Sequence, residues 1–109
     1  MLKRKYRLPG GIRFNSGRSI FAQAFLVKVK ENGLLFNRFA IIVSKKIDKR
    51  AVVRNRIKRF ISSCIAELYK DISLGYDMLF IVKSPSLGKT REEFCLSIKN
   101  IFKKEGFIK

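Results

Sequence analysis

From Phe21 to Lys30 apolar and polar positions alternate. Phe25, Val27 and Val29 point one way and Lys28 and Lys30 the other, which is the period of a half-buried strand. Glu31-Asn32-Gly33 then signals a turn, because Asn-Gly tolerates the positive φ angles of a tight hairpin. The run RFAIIVS, residues 38–44, is more uniformly apolar and predicts a second, more buried strand. At Arg50 the period becomes helical. Val53, Ile57, Phe60, Ile61, Cys64 and Leu68 form one stripe of an amphipathic helix that runs to about Asp71, with Gly75 as its stop. MLFIVK, residues 78–83, predicts a short central strand, and SPSLGKT a loop. A second helix follows. Thr90 is placed to cap it, Glu93 completes a capping box, and Phe94, Ile98, Ile101 and Phe102 make its apolar stripe.

Residues 1–19 lack a period. Pro9, Gly10, Gly11 and Gly17 punctuate them, so they read as irregular. The predicted order is strand, strand, helix, strand, helix. The strand–helix–strand unit over residues 38–83 implies two parallel strands in a mixed sheet, with helices on one face. A chain of 109 residues that is 47% hydrophobic suits one domain, residues 1–109, around one core.

Charge turns this fold into a candidate binder. The net charge is +17, and it is not spread evenly. Residues 1–60 hold 17 Lys/Arg and 2 acids, whereas residues 61–109 hold 8 and 6. The stretch SKKIDKRAVVRNRIKRF sets Lys45, Lys46, Lys49, Arg50, Arg54, Arg56, Lys58 and Arg59 against Asp48 alone. A solvated helix face would carry acids to pair with its cations, and none occurs between Lys49 and Ile65. A polyanionic partner answers this imbalance.

The helix can serve both core and partner. With Ile57 at the centre of the buried stripe, Arg54 and Lys58 fall on one shoulder, Arg56 on the other, and Asn55 and Arg59 on the back. Arg offers a planar fork to phosphate, and Asn55 offers a donor and an acceptor to a base edge or ribose hydroxyl. Lys49 and Arg50 sit unfavourably with the dipole at the helix start, where a bound phosphate would suit both them and the unpaired N–H groups. Phe14, in the Gly-rich segment GGIRFNSGR, is a candidate to stack on an unpaired base; Phe25 and Phe39 read as core.

Other chemistry is scarce. The chain has no histidine, which excludes a Cys/His zinc site and any His-based triad. Its few carboxylates are dispersed, so a two-metal nuclease centre is not expected. Cys64 and Cys95 lie in helical apolar patterns without metal spacing, which predicts small buried hydrophobes rather than a disulfide. No segment has the length and apolarity of a membrane span, and MLKRKYRLPGG leads into no signal-type apolar stretch; a cytoplasmic protein is expected.

SKKIDKRAVVRNRIKR closely resembles the signature of the bacterial ribonuclease P protein component, whose hallmark is Arg-Asn-Arg on a helix preceded by a strand and Ser-Lys-Lys. Here the triplet is Arg54, Asn55 and Arg56. The resemblance extends over nearly the whole chain, from Arg7-Leu8 through the strand pair and MLFIVKSP to the final amphipathic helix. It implies a small α+β fold: a two-layer sandwich with a mixed, mostly antiparallel sheet and an unusual left-handed strand–helix–strand crossover. It implies that the catalytic subunit is an RNA, which binds magnesium and removes the 5′ leader of precursor tRNA. Lys45, Lys46, Lys49, Arg50, Arg54, Asn55, Arg56, Lys58 and Arg59 would then face that RNA, and Phe14, Phe25 and Lys28 would line a cleft for the leader. PGGIRFNSG is several residues shorter than the family's usual N-terminal helix, and Lys28 stands at the usual place of a tyrosine, so leader contacts are expected to be weaker or more electrostatic. Charge alone also fits a structural RNA binder of the ribosomal type, a protein-only nuclease or a helix-turn-helix DNA binder. The signature separates the first of these from the resemblance, the missing acids argue against the second, and the flanking strands against the third.

Overall fold

The computed structural model describes residues 7–8, 17–83 and 90–108. The alternation read over residues 21–30 is two strands rather than one. β1 (Arg18–Phe21) and β2 (Phe25–Glu31) pair antiparallel, joined by a tight turn in which the Ala22 N–H donates to the Phe25 carbonyl at 2.9 Å. Ala-Gln-Ala carries no glycine or proline, so nothing in its composition marks the reversal. β3 (Arg38–Ile42), the helix α1 (Ala51–Leu68), a short 3-10 turn (Tyr69–Asp71), β4 (Tyr76–Val82) and α2 (Arg91–Lys104) follow.

The four strands stand in the order β1-β2-β4-β3, antiparallel except for the parallel β3–β4 pair that α1 connects. The turn at Asn32-Gly33 forms, with Gly33 at φ +70°. It does not close a hairpin, because β4 lies between β2 and β3. Asn32 instead ties the turn across the sheet: its side-chain amide donates to the Phe36 carbonyl at 3.1 Å and to Asp77 Oδ1 at 3.0 Å, and its N–H donates to the Gly75 carbonyl.

Both helices cover one face of the sheet. Phe25, Val27 and Val29 of β2 and Met78, Phe80 and Val82 of β4 meet Ile57, Ile61 and Ile65 of α1 and Phe94, Ile98 and Phe102 of α2. The rings interlock, Phe25 on Phe80 at 5.7 Å and Phe80 edge-on to Phe102 at 6.2 Å. α2 has the expected capping box: Thr90 Oγ1 accepts from the Glu93 N–H, and the Thr90 N–H donates to Glu93 Oε1. Among the described residues, no helix is long and apolar enough to cross a membrane.

The cysteines depart from expectation. Cys64 on α1 and Cys95 on α2 are joined by a disulfide, with Cα atoms 5.1 Å apart. α1 turns Cys64 fully inward, as its stripe requires, while Cys95 stands half-buried beside the stripe of α2. The period of one helix says nothing of where it crosses another, and these two cross at the cysteines.

Candidate nucleic-acid interface

The cationic stretch enters α1 through a tight turn built on Asp48. The Arg50 N–H donates to Asp48 Oδ1 at 2.8 Å, and the Arg50 guanidinium clasps both carboxylate oxygens at 3.1 and 3.0 Å. The hydrogen bonds from the Arg50 side chain, then from its backbone, hold the Asp48 carboxyl down to about 2. Arg50 remains the N-cap, and it offers no side-chain bond to the helix start. Arg54, one turn in, folds back over that start. Its Nη1 donates to the carbonyls of Asp48 at 3.0 Å and Lys49 at 2.8 Å. Carbonyls accept hydrogen bonds without cancelling charge, so the Arg54 cation is positioned rather than neutralised.

The rest of the cluster faces outward. Lys45, Lys46, Lys49, Asn55, Arg56, Lys58 and Arg59 are exposed, while Ile57 between them is buried. None of these cations pairs with a carboxylate among the described residues; the pair Arg50–Asp48 accounts for the single acid of the stretch. The first half of α1 is thus a wall of positive charge whose inner side is core, the arrangement the helical period implies.

The fold adds one cation that no local pattern reveals. Arg7 forms a parallel bridge beside Phe39, and the Leu8 N–H donates to the Phe39 carbonyl at 2.7 Å. This seats the segment along the free edge of β3. Arg7, Leu8, Phe39, Ala40, Ile41, Lys58 and Ser62 together line an open groove of about 290 Å³ between that edge and α1. Arg7 lies 51 positions from Lys58 in the sequence, and only the chain's return to the sheet edge makes them neighbours.

The expected leader cleft is not assembled as read. Phe25 is 0% exposed, its ring packed on Phe80 beneath the helices, so it has no face to offer a base. Lys28 is half-buried on the opposite face of β2, beside Ser19 and Leu79 in the register. One strand alternates sides, and residues an odd number of positions apart cannot line one cleft. Phe25 is therefore core. Phe14 lies outside the described residues.

The buried charge of the sheet is structural. Asp77, 1% exposed, accepts two hydrogen bonds of 2.8 Å from Arg38 and one of 3.0 Å from Asn32. Burial pushes its carboxyl up, and the bonds from Arg38 and Asn32 outweigh that and hold it below the usual range. No group of three or more His, Cys, Asp or Glu able to hold a metal occurs among the described residues.

The comparisons place this geometry. The profile of the family described as Ribonuclease P matches residues 3–106. A ribonuclease P protein component of Clostridium kluyveri is 36% identical over 110 residues, 95% of this chain and 97% of that one. A counterpart from Bacillus cereus strain AH187 is 38% identical over 111 residues, covering 96% and 95%. The structure of the Staphylococcus aureus RNase P protein superposes with a TM-score of 0.84 at 28% identity, covering 95% of this chain and 98% of that one. The RNase P protein from Thermotoga maritima shares the fold with a TM-score of 0.76 at 24% identity, covering 84% and 86%.

Proposed function

The chain belongs to the ribonuclease P protein component family, and from that premise we propose that its α1 wall docks on the RNA subunit of this tRNA-processing ribonuclease. The observation that carries the proposal is the exposed cluster of Lys45, Lys46 and Lys49 leading into α1 and Arg56, Lys58 and Arg59 on it, left without carboxylate partners among the described residues. Desolvating so many cations against one another is favourable only when phosphates replace the water. Arg54 and Arg56 act as phosphate forks and Asn55 as a polar reader between them. Arg7 and Lys58 continue the charge into the groove beside β3.

In this reading the chain supplies no catalytic group. Asp48 and Asp77 are each clasped by an arginine, and no group of three or more potential ligands gathers to hold a metal among the described residues. In this reading the metal and the chemistry belong to the RNA subunit, while the protein contributes position and charge. On the substrate side, Lys28, half-buried on the sheet face turned from the helices, engages the single-stranded 5′ leader of precursor tRNA; Phe14, outside the described residues, is the aromatic that the sequence offers to the same leader.

The test is cleavage of precursor tRNA by the RNA subunit at low magnesium, with and without this chain. A marked acceleration by the protein is expected, together with no cleavage by the protein alone. An RNA subunit that ignores the protein, while the protein binds ribosomal RNA instead, would overturn the proposal in favour of a purely structural RNA binder.

A further inference from the structure

The disulfide joins the helix that carries the cationic wall to the helix beside it, and its two ends differ in exposure. Cys64 is 0% exposed. Cys95 is half-buried and borders a groove of about 320 Å³ that Glu67, Leu68, Arg91, Glu92, Leu96 and Lys99 also line. Leu96 stands 61% exposed at its rim, so the approach is open. Cys95 is thus the end of the pair that borders solvent, and Cys64 the end that does not.

The helices do not depend on the bond to stay together. Arg91 Nε donates to Ser63 Oγ at 2.9 Å, Arg91 also pairs with Glu67, and Phe60 lies 6.3 Å from Phe94, ring to ring. Their partners stand on both sides of Cys64 on α1 and in the turn before Cys95 on α2. They act beside the cysteines whether or not the bond is formed, at a Cα separation of 5.1 Å within the range that a disulfide spans. The fold therefore holds the thiols ready for closure, and closure needs no rearrangement of the core.

We propose that Cys64 and Cys95 form a reversible redox staple, closed and opened through Cys95 by exchange with low-molecular-weight thiols and disulfides of the glutathione type. On closure, the Cys95 thiolate attacks one sulfur of the small disulfide. One small thiol leaves, and Cys95 carries a mixed disulfide. Cys64 then gives up its proton and attacks the Cys95 sulfur, releasing the second small thiol. Two protein thiols lose two electrons and two protons, and the small disulfide gains them as two thiols. Excess small thiol reverses the sequence: one thiolate attacks the Cys95 sulfur, the accessible one, and frees Cys64, and a second attacks the outer sulfur of the mixed disulfide, freeing Cys95 and re-forming the small disulfide. The bond closes a loop over a separation of 31 residues, so the closed form is the more stable one.

The experiment equilibrates the full chain in buffers of graded reduced-to-oxidised glutathione ratio. Free thiols are trapped by alkylation, the species are counted by intact mass, and thermal unfolding is followed in parallel. The expected result is full, reversible interconversion without denaturant, with a midpoint about 10 °C or more higher in the closed form. A Cys64→Ala variant should accumulate a glutathionyl group on Cys95, whereas Cys95→Ala should leave Cys64 unmodified while folded. Should Cys64→Ala fail to fold, rapid quenching of the wild-type chain during closure, with peptide mapping, must find the transient mixed disulfide on Cys95. A pair that stays open, or stays closed, across all ratios overturns the proposal. So does an unchanged midpoint, or a mixed disulfide found on Cys64.

Discussion

Arg54 and Arg56 are two residues apart on one helix and serve different ends. Arg56 is exposed and makes no ion pair among the described residues, whereas Arg54 is half-buried and donates to two backbone carbonyls at the helix start. Arg56→Ala should therefore weaken binding to the RNA subunit and reduce the salt slope by about one, with an unchanged thermal midpoint. Arg54→Ala should weaken binding and also cost about 1 kcal/mol of stability; filter binding over a salt series, beside urea unfolding, checks both. Asp77→Asn removes the charge that Arg38 needs in a largely buried place, and should cost about 2–4 kcal/mol in urea unfolding. At Gly17 the constraint is steric. A Cβ there would lie 2.4 Å from the Val29 carbonyl oxygen, next to the Arg18–Val29 pair that begins β1, so Gly17→Ala should destabilise by about 1–3 kcal/mol.

The helices α1 and α2 start differently. α2 has its capping box and Glu92 and Glu93 in the first turn, which suits the dipole. α1 has an arginine as N-cap, no side-chain cap and no acid in its first turn. An element that forgoes local stabilisation at one end must be held elsewhere, and Ile57, Ile61, Cys64 and Ile65 supply that through burial. Thr90→Ala should cost about 1 kcal/mol, read by thermal unfolding, since it deletes a cap that helix α2 uses fully. On the proposed function, phosphate bound at the start of α1 would raise the unfolding midpoint when RNA is present.

At the scale of the whole molecule, charge sets the response to salt and acid. If about six phosphates are contacted, the affinity for RNA should fall with salt with a log–log slope of about −4 to −5. Acid acts through Asp48 and Asp77. Both carboxyls sit below their ordinary pKa of 3.8, Asp48 at about 2, so their stabilising contribution is complete above that ordinary value and is lost as the pH falls through the lowered one. Unfolding midpoints should hold down to about pH 4 and drop toward pH 2, and Asp77→Asn should flatten that drop. The chain's own letters determined the elements with strong periods, the capping box of α2, the glycine turn at Gly33 and the cationic wall, because each is a property of neighbours within a turn or two of one another. They also carried the family signature, since Arg54-Asn55-Arg56 and its flanking lysines are contiguous. Three features were decided only by the fold. β4 inserts between β2 and β3; Arg7 reaches Lys58; and Cys64 meets Cys95. Each depends on which segments distant in sequence become adjacent in space, and that adjacency is fixed by how the apolar faces of the sheet and helices pack together, an energy shared over the whole core and written in no single stretch.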